Sequence, residues 1–261
     1  MDLVAGAAIA FVVAALTTPV GVSGAFLLVP VQLSVLGVPV AQVAPTNLLF
    51  NVVSIPGALV RYRERIRTDH SLITPLLAGG VPGVVAGVIT GVVLRTQFLN
   101  GTDAYLIVMA ALLAPMGLWL ALSRPPAAEA SGEPRRVATP TLIGIAFAAG
   151  VAGGLYGVGG GSIIAPVLVA LGLSVIAVAP AALIVTFVSS VAGLAAFLLL
   201  STPSFDSSPD WPLGIAMGIG GLGGGYLGAR IQPRVPERAL RVGLGVISVL
   251  LAVRYALQIL L

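Results

Sequence analysis

The sequence predicts an all-α polytopic membrane protein, and three observations support this fold class. First, 58% of the 261 residues are hydrophobic, only 8% are charged, and the mean hydropathy is +1.10. Second, long apolar stretches recur along the whole chain. Third, the second half of the chain repeats the pattern of the first. Because soluble domains carry about a quarter charged residues, this composition excludes a soluble enzyme, a disordered chain and a cytosolic binding module.

Ten apolar segments can be recognised along the chain. A straight helical span needs roughly 20 apolar residues, so ten segments leave room only for short loops. The second and seventh segments are too short for a straight span, and we expect them to be broken, re-entrant or tilted short helices. The segments are approximately 3–18, 24–36, 40–60, 72–94, 103–122, 140–157, 162–173, 175–200, 212–228 and 239–261.

The arginines predict the orientation of these segments, because basic residues concentrate in cytoplasmic loops. Two clusters and the stretch between them are placed inside, whereas the loop 201–211, with Asp206 and Asp210, is placed outside. We therefore expect both termini outside, with Arg95 an exception in a short outer loop beside Asp103. The arginines placed inside are Arg61, Arg63, Arg65, Arg67, Arg124, Arg135, Arg136, Arg230, Arg234, Arg238 and Arg241.

The two halves of the chain align with each other. Residues 21–31 match 157–167 at an offset of 136, and the offset then settles at 135. The pairs that follow this offset include Val43-Ala44-Pro45 with Val178-Ala179-Pro180, Ser54 with Ser189, Gly83 with Gly218, and Arg95 with Arg230. We interpret residues 1–122 as a first repeat, 123–139 as a cytoplasmic linker and 140–261 as a second repeat. Five segments per repeat is an odd number, which predicts two inverted-topology repeats, a common plan among secondary transporters.

Glycine-rich breaks precede the short segments in both repeats, at 17–24 and 153–162. Inverted symmetry brings equivalent breaks together at the repeat interface, where transport sites lie. Glycine permits close approach of a ligand to the backbone, and a helix N-terminus binds anions through unpaired N–H groups and its partial positive charge. The breaks therefore predict an anion site that needs no basic side chain.

The predicted substrate-binding residues combine these breaks with nearby hydroxyl and amide groups. Asn47 and Asn51 are four residues apart on one helix face, where interhelical hydrogen bonding is the alternative role. The predicted residues are Thr18, Gly21, Ser23, Gly24, Asn47, Asn51, Tyr156, Gly159, Gly160, Gly161, Ser162 and Thr186.

Other glycines recur every fourth residue and are typical of helix packing surfaces. Packing is also the alternative interpretation of the two breaks. The glycines assigned to packing are Gly79, Gly83, Gly87, Gly91, Gly214, Gly218, Gly220, Gly224 and Gly228.

Several kinds of chemistry are excluded by what the chain lacks. It has no cysteine and one histidine, His70, and every Asp and Glu is assigned to a terminus or a loop. We therefore predict no metal site, no cofactor, no catalytic residue and no carboxylate proton relay. The run 157–161 follows an apolar helix and lacks a Lys-Ser/Thr tail, so it is not a nucleotide-binding loop. We also expect no nucleic-acid partner.

The stretch 153–168, Gly-Gly-Leu-Tyr-Gly-Val-Gly-Gly-Gly-Ser-Ile-Ile-Ala-Pro-Val-Leu, resembles the glycine-rich signature of the TauE/SafE sulfite exporter family. The matching stretch 21–30, followed by Leu36-Gly37-Val38-Pro39 and Ala44-Pro45-Thr46-Asn47, resembles the first-half copy of that family. This resemblance implies export of sulfite or small organosulfonates across the bacterial inner membrane.

These observations predict a secondary transporter that exports a small oxyanion, such as sulfite or an organosulfonate, by alternating access. The alternative is an anion channel or a membrane scaffold without active transport. The expected partners are the small anion and the lipid bilayer of a bacterial or archaeal inner (cell) membrane, with a homodimer left open. The substrate, the coupling ion and the direction of transport are also left open.

Overall fold

The computed structural model describes residues 2–68, 71–97, 118, 137–201, 208–236 and 238–239, and the single residues 242, 246, 249 and 253. Every regular element in these ranges is helical, which confirms the all-α prediction. The α-helices are α1 (Asp2–Thr17), α2 (Ala25–Ser34), α3 (Val40–Thr68), α4 (Ile73–Gln97), α5 (Thr139–Tyr156), α6 (Gly161–Ala170), α7 (Val175–Leu200) and α8 (Trp211–Ile231). Short 3₁₀ turns follow α1 and α8, at Thr18–Val20 and Gln232–Arg234.

Five helices are long and apolar enough to cross a membrane, within the part of the chain that the structure describes. Their apolar parts are Leu3–Val20, Val40–Glu64, Ile73–Val93, Thr139–Tyr156 and Val175–Leu200. Helix α8 has 21 residues, but it is not one of these five. The predicted fifth and tenth segments (103–122 and 239–261), residues 123–136 of the linker, Asp69 and His70 lie wholly or largely outside the described residues.

Helices α2 and α6 are short, as the sequence predicts for the second and seventh segments. Each has ten residues and is therefore about 15 Å long, half the thickness of a bilayer core. Each begins after a glycine, Gly24 or Gly160, and each contains a proline at the same position, Pro30 or Pro166. The two short helices are thus built to the same pattern in both halves.

Helix α3 is longer than predicted and corrects the assignment of several charges to loops. It continues past residue 60 to Thr68, so Arg61, Arg63, Glu64, Arg65 and Arg67 belong to its last turns. Arginine and glutamate are good helix formers, and neither glycine nor proline interrupts residues 58–68. A helix can leave the apolar layer without ending.

Two other charged residues predicted in loops also lie in helices. Arg95 lies in α4, and Arg230 lies in the last turn of α8. Asp2, predicted at the terminus, is the first residue of α1. Hydropathy detects the end of the apolar stretch and not the end of the helix, which explains these corrections.

Glycines bring two pairs of helices into backbone contact. Along α4, a Cβ atom added at Gly79, Gly83 or Gly87 would overlap the carbonyl oxygen of Ile143, Phe147 or Val151 in α5. Along α8, Gly220, Gly224 and Gly228 meet the carbonyls of Ala7, Phe11 and Ala15 in α1 in the same way. The contacts confirm these glycines as packing surfaces. In each pair of helices, contacting residues increase in number along both helices in the same direction. Helix α4 therefore runs parallel to α5, and α8 runs parallel to α1.

Further contacts divide the bundle into two helix groups. Gly214 and Gly218 of α8 pack on Leu49 and Val53 of α3, again in parallel. Gly193 of α7 packs on Val84 of α4, while Gly80 of α4 packs on Val185. Helices α1, α3 and α8 therefore form one group with a common direction, and α4, α5 and α7 form the other.

The two groups run in opposite directions where they meet. Leu48 of α3 contacts Gly193 of α7, and Asn51 of α3 forms a hydrogen bond with Ser190 of α7. Residue numbers increase along α3 while they decrease along α7, so the two helices are antiparallel. Each group contains helices from both halves of the chain, and the halves are therefore interleaved.

We expect Gly87→Ala to lower the unfolding free energy by about 1–3 kcal/mol, the usual effect of overpacking, because the new methyl group meets backbone that cannot rotate away. Gly144→Ala is the matched control, since nothing lies within 4 Å of a Cβ atom at that position. Thermal unfolding of the purified protein in detergent measures both. Equal midpoints for the two variants would contradict the packing described for α4 and α5.

Candidate functional site

The two breaks are anchored on the two central helices in a reciprocal way. Gly21 and Gly157 have φ angles of +76° and +69°, the left-handed region that favours glycine. A Cβ atom added at Gly21 would lie 2.5 Å from the Cα of Ala179 in α7, and one at Gly157 would lie 2.5 Å from the Cα of Ala44 in α3. The first break therefore rests on the second half of the chain, and the second break rests on the first half.

The breaks touch each other through two serines. The Oγ atoms of Ser23 and Ser162 are 2.8 Å apart, and the Ser23 amide donates to Ser162 Oγ at 3.2 Å. Both hydroxyls lie within hydrogen-bond reach of the Val158 carbonyl, at 3.3 Å from Ser23 and 3.0 Å from Ser162. Both side chains are buried. The sequence prediction that the two breaks come together agrees with this contact.

The N-termini of α2 and α6 meet at this point. The first helical bonds are donated by Leu27 and Leu28 to Gly24 O in α2, and by Ile163 and Ile164 to Gly160 O in α6. The amides of Ala25, Phe26 and Gly161 have no backbone acceptor in the described ranges. Unpaired amides and the helix dipole give each end a partial positive charge.

A second polar group lies next to the start of α6. The side-chain nitrogen Nδ2 of Asn51 donates to Ser190 Oγ at 3.1 Å, and Thr186 Oγ1 donates to the Ala182 carbonyl at 2.9 Å. A Cβ atom added at Gly159 would lie 3.3 Å from Asn51 Nδ2 and 3.2 Å from Ser190 Oγ. The loop before α6 therefore connects this group to the serine pair. Ser190 is a further residue of the candidate site, in addition to those predicted from the sequence.

Asn47 holds the start of α2 rather than the serine pair. Its Nδ2 donates to the Ala25 carbonyl at 3.1 Å, and its Oδ1 accepts from Gln32 Nε2 at 2.5 Å. Gln32 is fully buried and was not among the predicted site residues. A lone amide in a short apolar helix is itself a signal, because a polar group in a membrane interior is costly without a function.

The remaining predicted residues have packing contacts. Gly24 lies against Val13 of α1, Gly160 against Gly150 of α5, and Gly161 against Ala182 and Thr186. Thr18 is buried in the 3₁₀ turn, with its hydroxyl towards Gly225 of α8. Tyr156 ends α5 and is half-buried against the core.

Several buried polar atoms have no hydrogen-bond partner within the described residues. They are Thr17 Oγ1, Gln32 Oε1, Asn51 Oδ1 and Ser189 Oγ. Buried polar groups are nearly always paired, so an unpaired one beside a candidate site is informative. Asn51 Oδ1 is the one that belongs to a residue adjoining the N-terminus of α6.

Half-length helices that begin at a common buried point within an apolar bundle are typical of a class, the membrane transport proteins. Residues 6–255 match the family described as Sulfite exporter TauE/SafE. The chain belongs to this family, as the glycine-rich signature indicates, and it is a multi-pass membrane protein. The family is one of transporters. No individual curated protein matches the chain.

We expect Gln32→Met to lower the unfolding free energy by about 1–3 kcal/mol, because it leaves Asn47 Oδ1 buried without a donor. Asn47→Leu has a similar effect, and the double variant loses less than the sum of the two, with a coupling of about 0.5–3 kcal/mol.

Unfolding of the four proteins in detergent measures this cycle, with Leu33→Met in the same helix as a volume-conserving control. Additive effects would show that the two amides do not depend on each other.

Proposed function

We propose that the protein is a secondary transporter that exports a small oxyanion, such as sulfite or an organosulfonate, by alternating access. The observation that carries this proposal is the meeting of two helix N-termini at Ser23 and Ser162. Such ends bind anions. Membership of the sulfite exporter family supports the substrate class.

The proposed site uses backbone amides of α2 and α6, the hydroxyls of Ser23 and Ser162, and the polar group at Asn51, Thr186 and Ser190. Ser162 Oγ accepts from the Ser23 amide, and we propose that an anion oxygen takes this place when substrate binds. Gly21, Gly157 and Asn47 position the two helix ends without touching the anion.

We also propose that the chain consists of two inverted repeats. Equivalent helices run in opposite directions: α1 and α3 belong to one helix group, whereas their counterparts α5 and α7 belong to the other. The paired contacts of Gly21 with Ala179 and of Gly157 with Ala44 support this arrangement.

Within this proposal, the contacts favour a different alignment of the fourth helices of the two repeats from the one that the sequence match gave. Gly80 packs on Val185 and Ser189, and Gly221 packs on Phe50 and Ser54. Because α3 and α7 align at an offset of 135, Gly80 corresponds to Gly221 at an offset of 141. The sequence match of Gly83 with Gly218 does not follow these contacts. The connection before the fourth helix is longer in the second half, 201–210 against 69–72, which accounts for the shift.

The two helix groups support the proposal of alternating access. Backbone contacts at glycine make each group stiff. The two groups meet along α3 and α7, where Leu48 contacts Gly193 and Asn51 bonds Ser190, and the two breaks meet nearby at Ser23 and Ser162. We propose that one group rocks against the other about this point, in a bacterial or archaeal inner membrane with both termini outside.

We expect Ser162→Ala to raise the KM for sulfite about tenfold, because a hydrogen bond to an anion contributes about 1.5–3 kcal/mol. Gly160→Leu should abolish flux, since even a Cβ atom there lies 3.1 Å from the Cα of Gly150. Flux of labelled sulfite in proteoliposomes measures both.

The matched controls are Ser174→Ala, at the exposed start of α7, and Gly144→Leu. Flux that saturates and shows counterflow distinguishes a transporter from a channel. Wild-type KM and flux in both site variants would refute the proposed site.

A further inference from the structure

The positive potential at the site comes from the backbone. Helices α2 and α6 each contribute about half an elementary charge at their N-termini. Together they offset about one negative charge. A second negative charge on a ligand would remain uncompensated where the dielectric constant is low.

Within the described helices, the charged side chains lie far along the chain from the site, and the ionisable side chain nearest to it in sequence is Tyr156, beside Gly157 at the end of α5. Within the described residues, α2, α6 and α7 carry no ionisable side chain. Those on the other helices lie at Asp2 in α1, Arg61, Tyr62, Arg63, Glu64, Arg65 and Arg67 in α3, Arg95 in α4, Tyr156 in α5, and Tyr226 and Arg230 in α8. The first of these in α3 is ten residues beyond Asn51, about 15 Å along the helix axis. The helix ends therefore set the charge that the site accepts.

Among the described residues, the site also offers a buried acceptor that has no donor. Asn51 is fully buried, and its Oδ1 has no hydrogen-bond partner in this part of the chain, while its Nδ2 donates to Ser190 Oγ. Asn51 lies against Gly159, two residues before α6 begins. A bare anion oxygen would be repelled by Oδ1, whereas a ligand that carries its own proton would satisfy it.

We propose that the site takes singly charged oxyanions that carry a hydrogen-bond donor, with hydrogensulfite the simplest, and that it rejects dianions. This inference rests on the proposed function, because it specifies the charge and protonation of the anion at the same site. The helix ends hold the negative oxygens, and Asn51 Oδ1 accepts the proton of the ligand.

One consequence concerns the proton. Hydrogensulfite crosses as an intact ion, so one proton and one negative charge move together and no protein group gains or loses a proton. A relay of protein carboxylates is then unnecessary.

Binding of three anions to the purified protein in lipid nanodiscs, measured across neutral pH, tests this inference. Sulfite loses its second proton near neutral pH, methanesulfonate stays a monoanion without a donor, and sulfate stays a dianion. We expect the apparent Kd of total sulfite to rise about tenfold per pH unit on the alkaline side. Methanesulfonate should bind more weakly and independently of pH, and sulfate should not compete.

Asn51→Val should weaken sulfite binding at acidic pH about tenfold and weaken methanesulfonate binding by a clearly smaller factor. The retained methanesulfonate binding shows that the variant is folded. Ser189→Ala is the matched control, because its buried hydroxyl faces Gly80 of α4. It should leave both anions unchanged.

Sulfite affinity that does not vary with pH, or sulfate that competes as well as methanesulfonate, would overturn this inference and leave the oxyanion transporter standing. An equal loss of both monoanions in Asn51→Val would overturn the role of Oδ1. Failure of the wild-type protein to bind any of the three anions would overturn the proposed function together with the inference.

Discussion

An interrupted helix inside an apolar bundle leaves backbone N–H and C=O groups that only the protein can satisfy, and the rest of this structure depends on that constraint. In the second break, the Val158 carbonyl lies within hydrogen-bond reach of the hydroxyls of Ser23 and Ser162, which can satisfy it. In the first break, the Ser23 amide is satisfied because it donates a hydrogen bond to Ser162 Oγ. Within the described residues, the amides of Ala25, Phe26 and Gly161 remain without a backbone acceptor, and such amides are the groups that an anion needs.

Close backbone approach is the second requirement, and glycine meets it in two distinct ways. At Gly21 and Gly157 the backbone adopts a conformation that other residues rarely adopt, so the chain can turn against α7 and α3. Along α4 and α8 the glycines are ordinary helical residues that let neighbouring backbones touch. The first use creates the helix ends. The second builds stiff helix groups that keep those ends facing each other.

The sequence predicted the breaks, the two short helices and the packing glycines, because each depends on local chemistry repeated at a fixed spacing. It did not predict that α3 continues to Thr68, since hydropathy falls where the arginines begin while helix propensity does not. It missed Gln32, whose partner Asn47 is 15 positions away. It named Asn51 but not its bond to Ser190, 139 positions away. Partners so distant are fixed by the packing of whole helices, which no local pattern encodes.

The distance along the chain between the two serines has a consequence for biosynthesis. The contact of Ser23 with Ser162 can form only after Ser162 has been synthesised. In the same way, Gly21 can pack only after α7 has been synthesised, and α1 only after α8, which begins at Trp211. A ribosome therefore delivers the first break to the membrane long before its partners exist, and α2 is too short to insert as a span on its own. The early half must be held by the insertion machinery, or remain outside the hydrocarbon layer, until most of the chain has been translated.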